Sequence, residues 1–326
     1  MTINGIKNPL SNFYSNEYIS LFLGKNDSIY EYRYQEKDDF FYNKSIKRPI
    51  DKVLDQTVDE GYFDLESVYG YSGYISNSLD QEFIKRAIQE YKKDCIQKKI
   101  VAEFIRFSPF NNFANKFSDS LDYYKSFGDN VIVDLESDID SNYKKKARYL
   151  IRKASENLEV SRSHNIDLFI ELYYQTMNKN NASSFYFFDK SFFKNLIKLN
   201  FIKMFKVVER REVVSMAIFL LDNKNIYYYL SANTPQGYKL NANFYLLDQV
   251  IRKFKSNGLQ KMILGGGSSP DKDDNLLQFK KKFSSYSEPF ITGGMIFINK
   301  KYESYNRIYK HSSGTANNFF LNYRYR

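Results

Sequence analysis

The chain has 326 residues but one cysteine, two histidines and no tryptophan. One cysteine, Cys95, cannot form an internal disulfide, and its place on the apolar face of an expected helix makes it a packing residue rather than a reactive thiol. His164 and His311 stand far apart without neighbouring partners, so a Ser-His-Asp or Cys-His centre has almost nothing to work with. No HExxH, paired CxxC or Walker loop is present, which argues against metal catalysis and against a P-loop enzyme. No stretch approaches the ~18 or more uninterrupted apolar residues of a membrane span. The first residues lack a basic region followed by an apolar run, so no signal peptide is expected. A reducing cytoplasm fits these absences.

Positive charge is abundant. Lys and Arg number 48 against 38 Asp and Glu, a formal net charge of +10. Such an excess attracts the phosphates of nucleic acid, coenzyme A, nucleotide-sugars or anionic lipid, and it also serves solubility. The 29 tyrosines go with a composition rich in Asn, Lys and Ile, so they carry no functional weight by number alone. At 43% hydrophobic and 26% charged the chain is globular, and its length suits two domains.

In the first half, segments 40–50 and 62–68 read as strands, and Tyr69-Gly70-Tyr71-Ser72-Gly73-Tyr74 as a glycine-punctuated loop. Ser78 and Gln81 make a capping-box pattern ahead of a helix whose apolar face is Ile84, Ala87, Ile88, Tyr91 and Cys95. A strand over 99–108 follows. Residues 110–140 are polar and read as irregular, which places the domain boundary at 135/136. Helices are expected from Ser141 onward (Ala147, Leu150, Ile151 and Ala154 inward), over 167–177 and over 190–199. Three strands come next, 202–208, 213–221 and 225–231, joined by hairpin turns. A helix over 241–255, a short buried strand over 261–264, a short helix over 276–283, a strand over 290–298 and a helix over 302–309 close the chain. The expected fold is therefore α/β, with mixed, mostly antiparallel sheets flanked by helices. The domains are 1–135 and 136–326, and the second repeats the element order of the first.

Two segments of the second half carry candidate chemistry. The loop between the third strand of the hairpin series and the next helix includes Gln236, Gly237, Tyr238, Lys239, Asn241 and Asn243. Backbone N–H groups at a helix N-terminus can receive the phosphates of a donor, Lys239 adds charge, and Asn241 is a capping residue. The other segment runs from Gly265, Gly266 and Gly267 through Asp271 to Phe279 and Lys280. Three glycines after a buried strand let a substrate approach the backbone. Asp271 can orient an amine or take its proton, and Lys280 can place a cation near a developing oxyanion, with an N–H near Ser231 and Asn233 as second donor. The basic helix 144–153 carries charge all round and reads as a solvated face.

The run LGGGSSPDKDDNLLQFKKKF (264–283) resembles the closing motif of the Fem-type aminoacyltransferases and their relatives in the GNAT acetyltransferase superfamily. In order along the chain, VYGYSGYISN (68–77), AEFIRFSPF (102–110), ARYLIRKASENLEV (147–160), TMNKNNASSFYFF (176–188) and YYLSANTPQGYKLNANFYLLDQVI (228–251) are similar to segments of GNAT-domain proteins from surface-polysaccharide gene clusters. The likeness implies two tandem GNAT-like domains and an N-acyltransferase. It implies that Lys280, beside Phe279, serves the donor site, and that Tyr69, Tyr71 and Arg106 line the acceptor side. Read as packing alone, Tyr69, Tyr71 and Tyr74 form an aromatic cluster closing the first core, and Arg106 makes an ion pair with an acidic neighbour such as Glu66 or Glu103. The donor implied is acetyl-CoA or another acyl-CoA, with aminoacyl-tRNA as the alternative. The acceptor is the amine of an amino-sugar or nucleotide-linked sugar, or a cell-wall precursor in the alternative. No metal is implied. The long helical arm of some Fem enzymes is missing, and the donor loop has one glycine where simple acetyltransferases have more. Two competing readings are a nucleic-acid-binding module, favoured only by charge, and a non-catalytic glycan binder with degenerate acyltransferase domains.

Overall fold

The computed structural model describes residues 11–58, 61–313 and 319–324. The chain divides into two compact units: Met1–Phe127 with Phe290–Arg326, and Gly128–Pro289.

The first unit opens with a short helix α1 (Asn16–Ile19) and a long hairpin of β1 (Ser28–Glu36) and β2 (Asp39–Pro49). Its turn is tight because Lys37 takes a left-handed conformation, φ 52°. The small ribbon β3 (Lys52–Val53) with β4 (Gln56–Thr57) precedes β5 (Phe63–Glu66) and β6 (Ile75–Ser76). Helix α2 (Gln81–Gln97) buries Phe83, Ile84, Ala87, Ile88, Tyr91 and Cys95, the stripe expected from 3.6-residue spacing. Its cap is Asp80, whose carboxylate accepts from the Glu82 amide at 2.9 Å, rather than Ser78. Then come β7 (Ile100–Arg106) and α3 (Asn112–Lys116).

The chain enters the second unit within β8 (Tyr123–Asp134). The sequence reading takes 110–140 as irregular, because the leading half of β8 is mostly exposed, Tyr124 and Phe127 included, and shows no apolar alternation. Helix α4 (Ile139–Asn142) is capped by Asp138, and α5 (Lys145–Ser155) has no side-chain cap. Ser141, the expected cap, lies inside α4. Strand β9 (Glu159–Arg162), helices α6 (Ile166–Lys179) and α7 (Lys190–Leu196), and the meander β10 (Ile202–Glu209), β11 (Glu212–Asp222) and β12 (Asn225–Asn233) follow. A short helix, α8 (Pro235–Lys239), and a long one, α9 (Ala242–Ser256), cross over to β13 (Lys261–Gly265), which leads to α10 (Asn275–Lys280). Strand β14 (Ser287–Ile296) carries the chain back to the first unit, where α11 (Asn299–Ser313) and a 3-10 turn (Asn322–Arg324) follow.

In the first unit the strand order is β1-β2-β5-β7-β14, and in the second β8-β13-β12-β11-β10-β9. Both are mixed: β5 runs parallel to β7 and β12 parallel to β13, the other named neighbours antiparallel. The expected mixed α/β class holds. The residues after 289, which the sequence reading assigns to the second domain, belong to the first unit, because β14 pairs with β7 from Thr292↔Arg106 to Ile296↔Ala102. The second unit's core joins Val131, Val133, Ala147, Phe219, Leu247, Ile251 and Met262 between sheet and helices α5 and α9. Among the described residues no helix is long and apolar enough to cross a membrane.

Candidate functional site

In the second unit the sheet opens. Strands β12 and β13 pair only from Asn225↔Lys261 to Tyr227↔Ile263. Beyond that point β12 continues to Asn233 without β13, while the register of β13 against β8 slips between Ile263 and Gly265. Gly265 takes φ +77°, which a side-chain-bearing residue adopts only with strain, and so turns the chain away from the sheet. A split between two parallel strands leaves unpaired backbone facing a slot, a place where an extended ligand can lie.

Lys280 stands at this split. Its side chain is buried, and its Nζ donates to the Gly266 carbonyl at 2.6 Å. No ion pair of Lys280 with a carboxylate is present among the described residues. Burial brings the lysine down from 10.5 to about 7, with the charge of Asp274 working in the opposite direction. Helix α10 is held by aromatic packing: Phe279 meets Phe244 of α9 edge-on at 4.8 Å and Phe283 at 5.5 Å. The lysine therefore projects from a short helix pinned to the core, and the neighbouring Lys281 pairs with Asp129 of β8 at 3.1 Å.

The glycine turn has its own occupants. A Cβ on Gly266 would lie 3.0 Å from the Asp129 carbonyl, and one on Gly267 would lie 2.6 Å from Asp274 Oδ1. The space around these two glycines is thus taken by the protein itself. Asp271 is exposed and accepts from the Asp273 amide at 2.9 Å, shaping the turn. The acid that faces the turn is Asp274, which sequence reasoning missed. An aspartate just ahead of a leucine-rich helical start is a capping signal that could have found it.

The expected donor loop is more closed than the sequence suggests. Pro235–Lys239 form a helical turn capped by Thr234, whose hydroxyl accepts from the Gly237 amide at 3.0 Å. Gly237 packs onto β11 so tightly that a Cβ there would meet the Val214 carbonyl at 2.1 Å. Gln236 donates to Glu209 at the surface, Lys239 is exposed, and Tyr238 lies under the Lys179 ammonium at 3.8 Å. Asn241 takes a left-handed conformation and gives α9 no side-chain cap. Asn243 Oδ1 accepts from the buried Ser215 hydroxyl at 2.9 Å, which fixes α9 to the sheet. The Asn233 amide donates to Thr176 Oγ1 at 3.1 Å, so it is not a spare donor for an oxyanion, whereas its side-chain Oδ1 is buried with no hydrogen-bond partner among the described residues. Ser231, two residues back, engages Tyr228.

Tyr69, Tyr71 and Arg106 gather in the first unit. The Tyr69 carbonyl accepts from the Tyr18 hydroxyl at 2.7 Å, and Tyr71 sits edge-on to Phe13 and Phe290. Arg106 pairs with Glu66 at 2.9 Å and donates to the Ser67 carbonyl at 3.0 Å. Glu66 also pairs with Arg48, which reaches Asp27 at 3.0 Å. The arginine thus belongs to a balanced ionic network. The other hub of this unit is Glu103. Its buried carboxylate accepts from Asn43 and Ser45 on one oxygen and from Tyr74 and Tyr91 on the other, at 2.6–2.7 Å.

Comparison with known proteins gives a consistent result. Residues 141–273 match the family model described as an acetyltransferase (GNAT) domain. No curated protein matches the sequence. Among solved structures, FemX superposes with a TM-score of 0.71 at 12% identity, covering 90% of this chain and 94% of FemX. A conserved protein of unknown function from Bacteroides thetaiotaomicron gives 0.54 at 9% identity, with 86% and 88% covered. L-PGS from Bacillus licheniformis gives 0.50 at 12% identity, with 81% and 84% covered.

Proposed function

We propose that this chain is an N-acyltransferase of the GNAT type, on a fold similar to that of FemX. It transfers an acyl group, in the first instance acetyl from acetyl-CoA, to the amine of an amino-sugar or nucleotide-linked sugar in surface-polysaccharide synthesis in the cytoplasm. The observation that carries this reading is Lys280. A lysine buried without an ion-paired carboxylate is costly to keep, and it stands where β12 and β13 part.

The donor's thioester lies in the slot with its carbonyl oxygen toward the Lys280 ammonium, which exchanges the Gly266 carbonyl for the substrate during reaction. The acceptor nitrogen, as the free amine, attacks the carbonyl carbon. Negative charge then grows on the oxygen, and Lys280 stabilises it in a low-dielectric setting. The carbon–sulfur bond breaks, the thiolate leaves with the electron pair, and the nitrogen loses its proton to water or to Asp271. Asp271 is exposed and can reach solvent-borne substrate. The uncapped first turn of α9 offers N–H groups to the donor's pyrophosphate, with the surface lysine Lys239 close by in sequence. The orphaned Asn233 Oδ1 at the end of β12 offers an acceptor to an amide N–H of the donor arm.

One observation favours a second reading. The closed helical turn 235–239 leaves less open glycine backbone for a pyrophosphate than an acyl-CoA enzyme uses, so aminoacyl-tRNA is the alternative donor, with a cell-wall precursor as acceptor. Melting curves separate the two. Acetyl-CoA at ~100 times its dissociation constant stabilises its binder by ~2.7 kcal/mol, or roughly 5–10 °C here. A rise of that size supports acetyl-CoA. No rise at saturating concentration rejects it and leaves the aminoacyl donor.

A further inference from the structure

Resting on the reading of Lys280 as the working cation, we infer that Asp274 is its positioning residue: its carboxylate ties the glycine turn 265–269 to the first turn of α10 and so fixes where the Lys280 ammonium stands. The geometry is specific. Oδ1 accepts from the Leu277 amide at 2.9 Å, the ordinary work of a helix cap. Capping needs only that oxygen. The other, Oδ2, accepts from the Ser268 amide at 3.1 Å, the Ser269 amide at 3.2 Å, the Ser268 hydroxyl and the Ser269 hydroxyl at 3.3 Å. One side chain thereby holds both of the segments on which Lys280 depends. The turn supplies the Gly266 carbonyl that the ammonium grips, and the helix supplies the lysine.

Gly267 belongs to the same device. The carboxylate fills the place where its side chain would be, so this glycine is required by Asp274 rather than by a substrate. The charge on Asp274 also acts on Lys280, against the effect of burial. Burial disfavours that charge too, and the hydrogen bonds from Ser268, Leu277 and Ser269 outweigh it, bringing the carboxyl down to about 2. It is ionised wherever the protein is folded at ordinary pH. Of the other charges nearby, Lys281 is matched by Asp129 of β8, and Asp271 and Asp273 are exposed on the turn.

The test uses the full chain with selectively 15N-labelled lysine, Lys280→Met assigning the Lys280 Nζ resonance, and acetyl-CoA with glucosamine as the activity probe. Asp274→Asn keeps an acceptor for Leu277 but removes the charge. Gly267→Ala displaces the carboxylate without altering it. In both, the Lys280 titration midpoint moves from the wild-type value, downward in Asp274→Asn, and kcat falls about tenfold or more while KM stays within about twofold. A folded Asp274→Asn protein with an unchanged midpoint and wild-type kcat overturns the positioning role. Wild-type turnover in Lys280→Met overturns the reading of Lys280 instead, and the titration still reports on Asp274 separately.

Discussion

Replacing Lys280 by methionine should make the protein more stable and less active. A lysine held near 7 in the folded state titrates at 10.5 when unfolded. At about 1.4 kcal/mol per pH unit, that gap is worth about 5 kcal/mol between the two protonation states. The sign follows from proton counting. Between pH 7 and 10.5 the unfolded chain holds a proton that the folded chain releases, so stability rises with pH across that window. The handicap of Lys280 is therefore largest at pH 7 and below, and vanishes above 10.5. Methionine has similar length and no charge, and it removes the handicap. It also leaves the Gly266 carbonyl without its donor, which costs about 1–3 kcal/mol. The net gain at pH 7 is about 2–4 kcal/mol, a melting point higher by roughly 4–16 °C. With no tryptophan to report, urea unfolding followed by far-UV circular dichroism at pH 7 and pH 10 is the suitable assay. A methionine variant less stable than wild type at pH 7, or equally advantaged at both pH values, refutes the reasoning.

Other perturbations test other parts. Gly237→Ala pushes a methyl into the Val214 carbonyl and should destabilise the second unit by about 1–3 kcal/mol, read as a lower urea midpoint. Thr176→Val strips the Asn233 amide of its acceptor and should cost about 1–3 kcal/mol, seen as faster hydrogen exchange at the end of β12. Glu103→Ala leaves four buried donors in the first unit facing a void and should cost about 3 kcal/mol or more, enough to lower the melting temperature by several degrees. Arg106→Lys should restore little of what Arg106→Ala loses, because one ammonium cannot reach Glu66 and the Ser67 carbonyl in the same fork.

What could be read from the sequence is what local spacing encodes. The stripes of α2 and α9, the meander β10–β12 and the buried middle of β13 all follow from periodicity and turn residues. Lys280 stands out in the sequence because a glycine run, an aromatic and a basic residue occupy a short stretch, and the structure adds its burial and its bond to the Gly266 carbonyl. The misses arise from contacts that spacing does not carry. Strand β8 looks like a loop because its first half shows no apolar alternation and its partner, β13, lies more than a hundred residues away. The return of 290–326 to the first unit depends on β14 finding β7. The ion pair of Arg106 was open to the sequence, which offers Glu66 or Glu103 as its acidic partner, and the structure has Glu66. Asp274 was passed over for Asp271, since three acids fall within four residues and only the folded turn shows which one faces inward.

The most direct test of the account is the rate at which coenzyme A is released from acetyl-CoA in the presence of glucosamine, compared between wild type and folded Lys280→Met. The account predicts amine-dependent release by the wild type, lower by ~100-fold or more in the variant, the usual loss for one donor at a developing oxyanion. Equal rates in the two proteins contradict it.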